Sequence, residues 1–205
     1  MELLTLLSLT VATFVYAISP GPGIFAVLAT STRYGPIAAL WLSIGHVIGD
    51  ILYVSIAMFA LTILAQTIEQ SMAYVKIFGA AYLLYIGFKQ YRSMGVSFKD
   101  DSAKKSVIHL LFSGFLVGGT NPKTIVYYLS FLPIFIDLNN LTLTTELQVI
   151  AIVGLTVLLA LSMANILGLK LRKSIEDPGV VQKVNKITGV TMMLVGVFVA
   201  LYYKP

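Results

Sequence analysis

Ser19-Pro20-Gly21-Pro22 interrupts one long apolar stretch near its middle, and Asn121-Pro122-Lys123 interrupts another at the matching place in the second half of the chain. A proline in a helix interior removes a backbone hydrogen bond and clashes with the preceding turn. Inside a bilayer the freed groups are tolerated only where protein or a water-filled cavity satisfies them. Paired, broken hydrophobic segments of this kind point to the binding region of a secondary transporter. The pattern predicts a small transporter whose path runs past both motifs.

Composition sets the solvent. The chain has 205 residues, 58% hydrophobic and 11% charged, against roughly 25% charged in a soluble domain, and its mean hydropathy is +0.89. Apolar runs of the roughly 20 residues that cross a bilayer recur throughout. They predict spans at Leu3–Ser31, Pro36–Ala65, Met72–Tyr91, Val107–Ile136, Leu147–Leu169 and Val184–Tyr203. The longest polar connection, Arg92 to Ser106, is too short for a soluble domain, so one membrane domain over 1–205 is expected. A signal peptide needs a positive start and a small-residue cleavage site. Met1-Glu2 is acidic and the apolar run continues to Arg33, so the amino terminus reads as the first permanent span.

Basic residues orient the spans. Lys89, Arg92, Lys99, Lys104 and Lys105 flank the connection between spans three and four, and Lys170, Arg172, Lys173, Lys183 and Lys186 that between five and six. The connections after spans two and four carry Glu69, Asp137 and Glu146, with Lys76 the only base near them. Basic loops lie on the cytoplasmic side, so both termini are predicted outside. The net charge of +5 then reflects orientation in the lipid bilayer, and no nucleic-acid partner is expected. There are no cysteines, which excludes disulfides, thiolate metal sites and thiol–disulfide relays. Neither a metal nor a cofactor is expected.

Six spans split into two sets of three, and an odd set must re-enter from the opposite side, giving inverted repeats at about 1–95 and 106–205. Aligning the motifs puts Ser19 over Asn121 and Pro20 over Pro122. Each motif reads as a helix start, because Ser and Asn are favoured N-caps and proline suits the first helical position. A new half-helix presents free N–H groups and a positive dipole end, together an anion site. A substrate carboxylate is the natural guest, and a plain proline kink is the bland alternative.

Ionisable groups sit within these spans. Lys123 lies about 16 residues into span four, roughly 24 Å along a helix of about 1.5 Å per residue, so it cannot snorkel to either face. Such a group is a functional candidate, expected to pair with a substrate or internal carboxylate; the alternative is a structural ion pair between spans. Asp50 falls mid-span two, and His46, four residues earlier, shares its helical face. Asp50 first and His46 second are the candidates for exchanging protons as a carrier opens to alternate sides, although His46 alone reads more simply as a packing residue. Gly45 with Gly49, and Gly114 with Gly118, form small-xxx-small pairs that admit a close backbone. In sequence such a stripe serves an intramolecular contact or a homo-oligomer equally well. Asn165 and Ser162 in span five are weaker polar candidates. Tyr127 and Tyr128 follow the second break, and tyrosines near span ends commonly anchor at the interface. His109, near the start of span four, reads as interfacial.

An enzyme finds no assembled constellation. Gly49-Asp50 is reminiscent of intramembrane aspartyl proteases, but that chemistry needs two carboxylates sharing a proton, and no second buried acid is expected. No Gly-x-Ser-x-Gly motif occurs.

Ser-Pro-Gly-Pro at 19–22 and Thr-Asn-Pro-Lys-Thr-Ile-Val at 120–126 resemble the paired signatures of the LysE superfamily of amino-acid exporters. The stretch from Phe78 to Arg92 is similar to that family's third span, and Asn185 to Gly189 with Met193 to Gly196 to its last. The likeness runs over nearly the whole chain and is greatest to the homoserine/threonine resistance branch. It implies export of small amino acids from the bacterial cytoplasm, across the inner (cell) membrane, driven by the proton gradient, with both proline motifs lining a central path. Its members' substrates include threonine, homoserine and leucine.

The expectation is therefore an all-α inverted-repeat bundle of six transmembrane helices that exports a small neutral amino acid by alternating access. Substrate would meet Ser19, Pro20, Gly21, Pro22, Asn121, Pro122, Lys123 and Asn165. Asp50 and His46 would handle the proton. An uncoupled facilitator of the same architecture, or a non-transporting accessory subunit, are the competing readings.

Overall fold

A computed structural model describes residues 1–19, 21–67, 106–119 and 121–170, with single positions between 77 and 92 and between 179 and 197. Much of the expected spans three and six, Pro20 and most of the basic connections fall outside the described residues. Within them all regular structure is helical: α1 (Leu3–Ile18), α2 (Pro22–Tyr34), α3 (Pro36–Thr67), α4 (Val107–Gly119), α5 (Pro122–Phe135) and α6 (Leu143–Lys170), with a 3-10 turn at Leu138–Asn140. Helices α3 and α6 are each long and apolar enough to cross a membrane. The pair α1 and α2, bent by 60° across its break, makes a third candidate if taken as one span.

Both breaks occur where the sequence puts them, but the first begins its new helix two residues later than expected. Ser19 does not cap α2. It closes α1, where its N–H donates to Val15 O at 3.1 Å and its hydroxyl to Tyr16 O at 2.7 Å. The N-cap of α2 is Gly21, and Pro22 holds the first helical position. The reason lies in the second proline: the residue before a proline is pushed out of the α region, so Gly21 stays extended and the helix waits for Pro22. The second break follows the expected form, with Asn121 as N-cap of α5 and Pro122 next. The matching pairs in the two halves are thus Gly21-Pro22 and Asn121-Pro122, not Ser19-Pro20 and Asn121-Pro122. One further turn, between α2 and α3, uses Gly35 at φ 89°, in the left-handed region that glycine alone enters freely.

The glycine pairs hold α3 against α4 within the chain. A Cβ on Gly45 would land on Leu111 O, one on Gly114 on Leu42 O, and one on Gly118 on His46 O. At Gly49 it would lie 2.6 Å from Gly119 N and 2.7 Å from Phe115 O. The two stripes face each other, which assigns them to an intramolecular crossing. Gly87 and Gly189, in the expected third and sixth spans, approach each other in the same way: a Cβ on Gly87 would sit 2.8 Å from Gly189 O.

The outside and inside of the bundle divide as a bilayer demands. Ile48, Leu52, Ile56 and Phe59 on α3, and Leu155, Leu159 and Ile166 on α6, are exposed, large apolar side chains of the kind that face lipid. The interior buries Leu9, Val27, Val54, Leu61, Val153 and Leu132, yet also Thr13, Asp50, Lys123 and Thr124. Gly114→Ala should therefore destabilise the protein by about 1–3 kcal/mol, the usual range for overpacking. Gly119→Ala, whose Cβ would meet only the Gly49 Cα at 3.9 Å, should be nearly neutral. Unfolding of the two variants in detergent micelles checks this, and equal stabilities would contradict the packing.

Candidate functional site

The two helix breaks are joined by Lys123. Its side chain crosses from the start of α5 to the end of α1, donating from Nζ to Tyr16 O at 2.7 Å and Ser19 O at 2.8 Å. These carbonyls belong to a helix end that the break leaves without its next turn. A cation there also opposes the negative end of the helix dipole. The ammonium lies 4.8 Å from the centre of the Tyr16 ring, within cation–π range. Among the described residues no carboxylate comes within ion-pair distance of Lys123, whose direct partners are these two carbonyls.

Asp50 is fully buried, at 0% exposure, and hangs in a hydroxyl network. Thr124 Oγ1 donates to Asp50 Oδ1 and Tyr128 OH to Oδ2, each at a long 3.4 Å. Thr124 also exchanges a 2.6 Å hydrogen bond with Tyr16 OH. Tyr16 stacks on Tyr127 at 4.1 Å, and Tyr127 OH reaches Thr13 at 3.0 Å. His46 Nε2 lies 3.7 Å from Asp50 Oδ1. Tyr16 therefore touches both charged groups, Asp50 through its hydroxyl and Thr124, Lys123 through its own carbonyl.

A cavity of about 10 Å³ sits between these groups, lined by Tyr16, Ala17, Ser19, Gly21, Gly23, Ile24, His46, Asp50, Asn121, Lys123, Val157 and Leu161. That is about the space one water needs, so the helices must part before anything larger can enter. Ser19, His46, Asp50, Asn121 and Lys123 make part of the lining polar, and Ala17, Ile24, Val157 and Leu161 make part of it apolar.

Of the candidates read from sequence, Ser19, Gly21, Asn121, Lys123, Asp50 and His46 share this cavity. Pro22 and Pro122 begin the helices beside it, and Pro20 lies outside the described residues. Asn165 is not brought there. Its Nδ2 donates to Pro36 O at 2.9 Å and its backbone carbonyl accepts from Ser31 Oγ at 2.8 Å, clasping α6 to α2 and the turn between α2 and α3. Tyr127 and Tyr128 are buried instead of anchoring at the interface, while His109 is exposed. Tyr16, Thr124, Gly23, Val157 and Leu161 are site residues that the sequence does not single out as candidates. Thr124 lies within the 120–126 signature; the other four look like ordinary members of apolar runs.

The family model for LysE type translocators matches residues 14–203. The chain belongs to the LysE type translocator family. It is a membrane transporter by that membership, and its buried polar centre and apolar exterior are those of one. It is 27% identical to an uncharacterised membrane protein of Synechocystis, over 94% of each chain. It is 30% identical to a leucine efflux protein of Enterobacter, over 69% of this chain and 68% of that one. A leucine efflux protein of Klebsiella pneumoniae is 31% identical over 60% of this chain and 59% of its own. No solved structure matches the chain.

Removing the Lys123 ammonium should cost stability. Lys123→Met takes the bonded donor from Ser19 O and leaves Tyr16 O only the Ser19 hydroxyl. A loss of about 1–3 kcal/mol, the cost of a buried unsatisfied group, is expected in denaturant unfolding in micelles. Undiminished stability would show that the ammonium does not hold the helix end.

Proposed function

We propose that this transporter exports small neutral amino acids from the bacterial cytoplasm, across the inner membrane, by proton-coupled alternating access. The observation that carries the reading is the placement of Asp50 and Lys123, buried groups of opposite charge, on one cavity between two helix breaks. Ionisable groups at such depth mark substrate and proton pathways. The apolar lining of Ile24, Val157 and Leu161 suits an aliphatic side chain, and the polar lining suits a zwitterionic backbone. Leucine efflux relatives support the same substrate class.

In this reading six spans form two inverted three-helix repeats, with the basic connections cytoplasmic and both termini outside. The close approach of Gly87 to Gly189 supports a pairing of the third and sixth spans. Asp50 takes up a proton when the path opens outward and releases it inward. The carboxylate accepts from Thr124 and Tyr128, with His46 beside it; protonation alters those bonds, and through Thr124 the change reaches Tyr16 and the first break.

Proteoliposomes of purified protein, loaded with leucine, valine, threonine or homoserine, test this. Wild type should drive uphill flux that requires a pH gradient. Asp50→Asn should abolish that uphill component. Downhill flux indifferent to both gradient and mutation would make the protein a facilitator. No flux from folded protein would remove the export reading.

A further inference from the structure

The two half-helices at the breaks look equivalent in sequence but differ in what their free N–H groups meet. At the start of α5, Asn121 Oδ1 accepts from Lys123 N at 3.1 Å, and Asn121 O accepts from Thr124 N at 3.0 Å. Its second and third helical N–H groups are therefore occupied from within the chain. At the start of α2 the N-cap is Gly21, which has no side chain to cap with, and no side-chain hydrogen bond is made there. Pro22 has no N–H. The first intrahelical bond runs from Phe25 N to Gly21 O at 3.0 Å, which leaves the N–H groups of Gly23 and Ile24 at the positions where a helix has no internal partner. Both residues line the cavity.

A second observation points to the same place. His46 is 4% exposed, and its Nδ1 has no hydrogen-bond partner. An unsatisfied buried polar atom costs free energy unless something completes it. Its ring edge lies against Gly23: a Cβ there would sit 2.5 Å from Cε1, 3.0 Å from Nε2 and 3.2 Å from Nδ1. Glycine at 23 is what lets imidazole and helix end stand together. A neutral imidazole has one donor nitrogen, and with the proton on Nδ1 that donor is free.

We propose that the substrate carboxylate docks on the N-terminus of α2, held by the N–H groups of Gly23 and Ile24 and by His46, and not on α5 or Lys123. This rests on the export reading above and gives its substrate site a polarity. The carboxylate end faces Gly23 and His46, and the side chain faces Val157 and Leu161. Lys123, with two of its three donors on α1 carbonyls, keeps the first break open and holds the site's shape. His46 thereby changes role, from second proton carrier to carboxylate ligand.

Equilibrium binding of L-leucine and L-leucinamide to purified full-length protein tests the assignment, since the two differ only in the carboxylate. Wild type should favour leucine by about tenfold or more, as expected for hydrogen bonds to a charged group. His46→Phe, which leaves the Gly23 and Ile24 N–H groups in place, should cut that preference several-fold while leucinamide is unchanged, which also shows the variant is folded. Lys123→Gln should leave the preference ratio intact even if both affinities fall. Should His46→Phe bind neither compound, His46→Gln, which keeps a donor, decides: a retained preference supports the site and a lost one overturns it. Equal binding of the two compounds to wild type, or a preference that survives His46→Phe and collapses in Lys123→Gln, also overturns it. Absence of any leucine binding or flux in wild type counts against the export reading instead.

Discussion

The ammonium of Lys123 reaches from the second helix break to the carbonyls of Tyr16 and Ser19 at the first, and the rest of the interior is arranged around that crossing. A bilayer supplies no water to exposed peptide groups, so a helix broken in its middle must find partners within the protein. Each break here solves the problem differently. The end of α1 takes a lysine from the other half of the chain. The start of α5 takes its own asparagine. Among the described residues at the two breaks, the start of α2 is left open, and it opens onto the cavity.

The same crossing brings two charges into one small volume without pairing them. Lys123 is engaged with backbone, and Asp50 with the hydroxyls of Thr124 and Tyr128, so neither charge neutralises the other by direct contact. Tyr16 stands between them, its hydroxyl bonded to Thr124 and its carbonyl to Lys123. A buried salt bridge would lock the centre, because breaking one leaves an uncompensated charge. A chain of hydroxyls at 3.4 Å is easier to rearrange. That suits a protein whose cavity must widen well beyond 10 Å³ to admit a solute.

Much of this was legible in the residues. Proline in an apolar run, a capping asparagine and a lysine too deep to snorkel each carry a strong local cost, so their positions announce themselves. The paired glycines announce a close crossing, yet it is the Leu42 and Leu111 carbonyls against them that make it a crossing within one chain. At the first break two prolines compete for the helix start, and the later one wins because Gly21 before it stays extended, so α2 begins two residues past the start that Ser19-Pro20 suggests. Asn165 carries the signature of a site residue because in sequence a buried amide looks the same whether it binds solute or clasps α6 to Pro36. Val157 and Leu161 carried no signal at all, since one apolar face of a helix buried in apolar surroundings looks like any other.

The claim on which the account stands is that the residues between the two breaks line one path, reachable from either side of the membrane in turn. The absence of native cysteine makes the test direct. A single Ala17→Cys on the cavity wall can be exposed to a membrane-impermeant maleimide in vesicles of known orientation. The account predicts labelling from both faces, with the balance between them shifted by substrate or by an imposed pH gradient. Labelling from one face only, at a rate that neither substrate nor gradient changes, would contradict it.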